Sequence, residues 1–357
     1  MYNQFKLDKF LILKYVFISL LLILCVIIGT NLHANPQVAL ITASRYVGDR
    51  EVAWRMKIAG ERLGWKVIVD EDEGRNLKGQ KFDWVICMLP KLKPIKIDCP
   101  NYLMVFHPFN YLNDKRMFNS ISEKFDGYLL TIHDRETLRK GLKRKNKKFH
   151  HISFNPTVYN VPYKKLAAKD LVVMIPVWGN RLTDPKFCTL YQLLNKSGFA
   201  KFYGPKSNSN IDPQNYMGAI PFDGTSVIDV LQQHGVVLVF HSDIHNEESI
   251  PSARIFEAAA SSTVIICDEN PFVRKHFGDA VFYIDTTQSG KSIFNQIEKH
   301  MQTIAKDPEK ALEMARKAHE IFSDKFTMEH QLLQLQEMHK EVLKDKGLVR
   351  LAIKLEA

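Results

Sequence analysis

The chain has no C-x-x-C pair, no G-x-G-x-x-G run, no internal repeat and no low-complexity tract. Each absence removes a class of protein. Of its five cysteines, Cys25 lies in an apolar N-terminal run, while Cys87 and Cys267 sit inside strand-like runs where a thiol serves as a small core residue. Cys99 and Cys188 would have to pair across domains. Neither a zinc site nor a disulfide framework is supported, and the dinucleotide-binding glycine fingerprint is missing. The net charge is +10, yet there is no helix-turn-helix, zinc-finger or RNP pattern. The basic residues do not interleave with aromatics as a single-strand platform requires, so nucleic acid is not an expected partner.

Long apolar runs are confined to the N-terminus. Lys6, Lys9 and Lys14 precede Tyr15 to Gly29, about fifteen apolar residues, and then Thr30 to Pro36. This is a basic n-region, an h-region and a candidate cleavage point after Ala34. A spanning helix needs about 20 apolar residues. Signal peptide and uncleaved signal anchor therefore stay open for residues 1–34, and both leave the lysines cytoplasmic and carry the body across. Arg45, Arg50, Arg55 and Lys57 follow closely, which leaves a reversed insertion with a cytoplasmic-facing body as the alternative. The remaining chain of about 320 residues is too long for one ordinary core and right for two. Its charge of about +8 suits an anionic membrane surface or an anionic, lipid-linked acceptor. The expected divisions are 35–160, 161–325 and a C-terminal helix with a basic tail over 326–357.

The first of these domains opens with a strand at Gln37–Thr42, a loop, an amphipathic helix at Val52–Leu63 ended by Gly64, and a strand at Trp65–Val69. That order starts a parallel, doubly wound sheet. Further strands are expected at Phe82–Met88, Asn101–Phe106 and Phe125–Thr131. The helix from Arg135 to Lys148, with eight Lys or Arg against one Glu, reads as a solvated face, a membrane-facing patch being the sharper alternative. A hinge is expected near Phe154–Val158. The second domain starts with a strand at Leu171–Ile175. Its loop carries Gly179, with Arg181 and Lys186 following, so backbone donors and cations together suit a pyrophosphate. Strands at Phe199–Tyr203, ending at Gly204, and at Ala280–Ile284 complete it, with helices at Ser226–His234, Ser292–Ala305, Pro308–Ser323 and Thr327–Lys344.

The most informative stretch is Pro251-Ser252-Ala-Arg254-Ile-Phe-Glu257-Ala-Ala-Ala260. It places one arginine and one glutamate in a small-residue helix start between two continuously apolar runs, Val236–Phe240 and Thr263–Cys267, of the kind that form buried parallel strands. A helix between such strands makes a βαβ unit. Its N-terminus and the strand C-termini face one crevice that favours an anionic ligand. The bland alternative is a glutamate that only complements the helix dipole. The loop from His241 to Ser249 is rich in His, Asp and Glu, but metal sites draw ligands from rigid, spaced elements, so no metal is expected there.

This stretch, with Asp268-Glu-Asn-Pro271-Phe after the second strand, resembles the donor-binding segment of group 1 glycosyltransferases of the GT-B fold, the glycogen-synthase-like type. The resemblance is weak in the first half and good between about 171 and 325. It implies two facing Rossmann-like α/β domains, each with a parallel sheet, following the N-terminal hydrophobic segment. It implies a nucleotide-sugar as substrate, no cofactor and no metal, with Glu257 accepting hydrogen bonds from the donor ribose. Arg181, Lys186, Ser252 and Arg254 would face the donor phosphates, and Gly179 and Gly204 the nucleotide neighbourhood. Many members carry a second glutamate eight positions earlier, where this chain has Ser249, so the sugar contact falls to Glu248 or Ser249. His107 is a candidate base at a strand end, with Asp49 and Glu51 as further candidates. The expected activity is sugar transfer from a nucleotide-sugar to a glycan, lipid-linked or other surface-polysaccharide acceptor. A non-catalytic two-lobed sugar- or nucleotide-binding protein, or an epimerase of the same architecture, is the alternative.

Overall fold

The computed structural model describes residues 35–88, 98–105, 124–131, 148–175, 181, 183–205 and 211–348. His107, Gly179, the N-terminal hydrophobic segment and the basic helix but for Lys148 lie outside them.

The first sheet begins with β1 (Gln37–Ile41), crosses through helix α1 (Val47–Arg62) to β2 (Lys66–Asp70), and continues with β3 (Trp84–Cys87), β4 (Asn101–Val105), β5 (Gly127–Leu130) and β6 (His151–Ser153). Its order is β2-β1-β3-β4-β5-β6, and every neighbouring pair is parallel. The second sheet has β7 (Asp170–Met174), β8 (Ala200–Tyr203), β9 (Tyr216–Gly218), β10 (Gly235–Val239), β11 (Val264–Asp268) and β12 (Phe282–Ile284). These are arranged β12-β11-β10-β7-β8-β9, again all parallel. Residues of β3, β10 and β11 are buried throughout. That is why these strands read as unbroken apolar runs: a parallel sheet is covered on both faces.

The second lobe carries α2 (Pro185–Lys196), α3 (Ser226–His234), α4 (Asp243–Glu247), α5 (Ala253–Ala260), α6 (Pro271–Phe277), α7 (Gly290–Lys306) and α8 (Pro308–Lys325). Each sheet reverses direction beside its first strand, between β1 and β3 and between β7 and β10. Such switch points open crevices at the strand C-termini.

Helix α9 (Met328–Asp345) leaves the second lobe and packs on α1 and on the first sheet. Its His339 is buried, is hydrogen-bonded at Nδ1 to the Tyr102 hydroxyl at 2.6 Å and lies over Trp84, ring centroids 4.4 Å apart. The proline-containing link after β6 is pinned to the α8–α9 junction. Asn155 N–H donates to Gln331 Oε1 at 2.5 Å, Thr157 Oγ1 to the Phe326 carbonyl at 2.6 Å, and Met328 N–H to the Val158 carbonyl at 2.8 Å. The three core residues Phe154, Thr157 and Val158 are fully buried there.

Helix α1 and the α4 segment differ from the sequence reading. Helix α1 starts at Val47, five residues before the expected Val52, so Asp49 and Glu51 are helical rather than in a loop. The stretch from His241 to Ser249 holds the short helix α4, capped by Ser242, whose hydroxyl accepts from His245 N–H. The apolar period in α1 begins only after Gly48-Asp49-Arg50, and α4 has none, so neither showed in the pattern.

Candidate functional site between the lobes

Glu257 lies in the second turn of α5, where Ala258, Ala259 and Ala260 are fully buried and let the helix sit close on the sheet. Ser252 caps the helix, its hydroxyl accepting from Arg254 N–H at 3.3 Å. Glu257 is 4% exposed. A carboxylate so placed needs cations, and it has two. Arg55 Nη2 donates to its Oε1 at 2.7 Å, and Arg254 Nη1 lies 3.3 Å from its Oε2. Burial alone would raise the Glu257 pKa, but Arg55 first and Arg254 second outweigh it and hold the carboxyl below its ordinary value.

Arg55 comes from the other lobe. It is 1% exposed, on the face of α1 that also buries Val52, Met56 and Ala59. Its Nη2 serves a second carboxylate, Glu51 Oε1, at 2.8 Å one turn earlier. The other Glu51 oxygen accepts from Gly224 N–H of the second lobe at 2.9 Å. Burial would lower the Arg55 pKa; the fields of Glu257 and Glu51 reverse that and raise it. One guanidinium shared by two carboxylates leaves Glu51 the weaker claim, and burial raises its pKa despite Arg55. Gly224 has φ +86°, and a Cβ there would lie 3.1 Å from Trp54 Cβ. Glycine is what lets this turn meet α1 so closely.

Beside this cluster a cavity of about 300 Å³ opens between the lobes. Gly48, Glu51 and Arg55 border it from α1, and Ser252, Arg254 and Glu257 from α5. Its remaining wall is mostly apolar: Met174 and Ile175 at the end of β7, Tyr203 and Gly204 at the end of β8, and the Ala219–Phe222 stretch. Gly204 has φ +134°, and a Cβ there would lie 3.2 Å from the Ile175 carbonyl oxygen. An apolar pocket with a few convergent polar groups is the usual form of a small-molecule site.

Of the residues expected from sequence, the structure gathers Glu257, Ser252, Arg254 and Gly204 at this cavity. Arg254 also contacts the Met174 sulfur. Arg181 and Lys186 do not border the cavity. The Arg181 guanidinium stacks over Phe187 and Phe240 at 5.0 and 5.2 Å, and Lys186 Nζ donates to the Thr286 carbonyl at 2.8 Å. Glu248 is exposed, and Ser249, at φ +55°, closes α4 in the left-handed conformation; neither borders the cavity. Asp49 sits on the same α1 turn as Gly48, and burial pushes its carboxyl up to about 7.

Sequence reasoning missed Arg55 altogether as a site residue. The signal was present: Glu51 and Arg55 at i,i+4 on the apolar face of an amphipathic helix, where charges belong only if a buried partner awaits them. It also missed the buried pair at the end of β10. His241 Nδ1 lies 2.7 Å from Asp268 Oδ1, and His241 N–H donates to Oδ2 at 2.9 Å. Asn246 Nδ2 donates to the same Oδ2 at 3.2 Å. Burial would raise the Asp268 pKa, but these donors, His241 foremost, lower it. The Cys267 thiol lies 3.5 Å from Asp268 and is pushed well up, by burial and then by that carboxylate. His241, Cys267 and Asp268 bring three potential ligand atoms within 4.8 Å of one another. The short His–Asp contact makes this a hydrogen-bonded pair that ties the α4 segment to β11.

Residues 174–337 match the model of a glycosyl transferase-like family. No curated protein shows a significant match to the sequence. Among solved structures, sucrose-phosphate synthase from Thermosynechococcus elongatus superposes with a TM-score of 0.53 at 12% identity, over 87% of this chain and 100% of that one. An alpha-glucosyltransferase, solved with UDP and a 13-mer DNA, gives 0.54 at 10% identity over 84% and 98%. TarM gives 0.47 at 15% identity, over 75% of this chain; the chain spans 57% of TarM. Two facing lobes with parallel sheets and a cleft between them define the GT-B architecture. The family match lies in the second lobe and takes in just under half of the chain, and the architecture of the two lobes together is that of the GT-B fold.

Proposed function

We propose that the chain moves a sugar from a nucleotide-sugar donor to a glycan, lipid-linked or other surface-polysaccharide acceptor. One observation carries the reading: a buried carboxylate, Glu257, presented with Arg55 and Arg254 at an interlobe cavity whose wall away from these charges is mostly apolar. A carboxylate with both oxygens held by cations keeps spare lone pairs for ribose hydroxyls, and the Tyr203, Ile220 and Phe222 surfaces suit a flat base. The bound UDP of the alpha-glucosyltransferase supports the same donor class.

Glycosyl transfer passes through an oxocarbenium-like state. The departing diphosphate needs positive charge, which Arg254 at the cavity and the α5 N-terminus supply. Arg181 and Lys186 would join them by leaving their present partners. The attacking hydroxyl needs a base or gives its proton to the leaving group. Among the described first-lobe groups, Asp49, half-ionised near neutral pH, has the range for that base. The basic surface supports an anionic acceptor or membrane, with residues 1–34 as the anchor and the body outside the cytoplasm by charge bias. Among the described residues no helix is long and apolar enough to cross a membrane.

A second reading has its own observation: Glu248 and Ser249 stand off the cavity, so no acidic group reaches the sugar from that loop, which favours a binding protein without turnover. Incubating the detergent-solubilised full chain with UDP-, GDP- and ADP-linked sugars separates the two. Release of nucleoside diphosphate that depends on an added glycan supports transfer. Binding without release supports the second reading, and an epimerised donor supports neither.

A further inference from the structure

Arg55 carries more than its two ion pairs require. Its guanidinium is bound through Nη2 alone. Nε and Nη1 are buried and have no partner among the described residues. A buried N–H without a partner is costly, and this side chain borders the cavity. Arg55 thus brings orphan donors from one lobe to the border of the cavity, beside a carboxylate acceptor from the other.

That mixture selects among ligands. A phosphate only accepts hydrogen bonds and would be repelled by Glu51 and Glu257 on either side of Arg55. A vicinal diol is neutral, donates through its protons and accepts through its oxygens. It satisfies both halves of the site: its O–H groups donate to Glu257, and its oxygens accept from Arg55 Nε–H and Nη1–H. We propose that Arg55 is a donor-binding residue supplied by the first lobe, recognising the ribose hydroxyls of the nucleotide together with Glu257. This rests on the nucleotide-sugar reading above and adds to it that the ribose is gripped from both lobes. The lobes are then tied through the ligand as well as through the Arg55–Glu257 pair.

Titration calorimetry on the full chain with matched ribo and 2′-deoxy diphosphates (UDP and dUDP, GDP and dGDP, ADP and dADP) tests this. The wild type should prefer the ribo form by about tenfold or more, the equivalent of one charge-assisted hydrogen bond. Arg55→Lys keeps the charge between Glu51 and Glu257 but loses the planar fork. It should weaken the ribo form and leave the deoxy form nearly unchanged, so that the preference falls below about threefold. If that variant does not fold, the double change Arg55→Gln with Glu51→Gln removes the charges together and should give the same collapse. A wild type indifferent to the 2′-hydroxyl, or a variant keeping the full preference, overturns the role of Arg55. A wild type that binds none of the six nucleotides overturns the donor reading itself, and this proposal with it.

Discussion

At the scale of single residues, burial decides which charges matter. Asp49 stands in the first turn of α1, where the helix dipole favours its anion, yet burial raises its carboxyl to about 7. The folded state thus holds a proton that the unfolded chain, with an ordinary Asp near 4, has released. The stability this confers is complete below about pH 4 and is lost as pH rises through 7. Asp49→Asn should therefore gain on the wild type between pH 4 and pH 8, by on the order of 2 kcal/mol once its partial exposure is allowed for. Denaturant melts at the two pH values check it, and equal gains at both would contradict it. If Asp49 is the base, the same variant should keep nucleotide affinity and lose turnover.

Glu257 was legible from its own helix, because small residues around one acid between two apolar strands leave few uses for the charge. The resemblance to a known donor segment supplied the expectation of a ribose role. Arg55 was not legible, because its meaning lies in a residue 202 positions away. Removing Glu257 outright would strand Arg55 against Glu51 alone and break a buried pair, a loss of about 3–5 kcal/mol. Glutamine is thus the informative substitution.

Among the elements, strands β1, β3, β7, β10 and β11 and helices α3, α7, α8 and α9 read well from sequence, since burial on both sheet faces and a 3.6-residue period leave plain patterns. The edge strand β9 did not: its Tyr216–Gly218 stretch is short and half-exposed. Helix α4 did not either, being held by Ser242 and by Asn246 with Asp268 rather than by an apolar stripe. Helix α9 carries a pH dependence of its own. Burial lowers the His339 pKa to about 3, so the folded state stays neutral where the unfolded chain takes up a proton. The stability of its docking is complete above about pH 6.5 and is lost as pH falls toward 3, about 3 kcal/mol of it by pH 4. His339→Gln should flatten that acid limb in urea melts at pH 7 and pH 4. An unchanged limb would place the acid sensitivity elsewhere.

For the whole molecule, two parallel sheets followed from the order of strands and helices, and the return of the C-terminal helix onto the first lobe only from the resemblance to GT-B enzymes. The closeness of the lobes did not follow, because it depends on pairings no local pattern encodes: Gly224 against Trp54, Glu51 against Gly224, Arg55 against Glu257. Those contacts bring two adjacent folds together at one cavity, where Arg55 of the first lobe holds Glu257 of the second. The most direct measurement is calorimetric titration of UDP, GDP and ADP into the wild type and Glu257→Gln, with thermal melts confirming that both are folded. The account predicts that at least one nucleotide binds the wild type and that the variant loses at least about tenfold in affinity for it, roughly 1.4 kcal/mol. Equal affinity in a folded variant would contradict it.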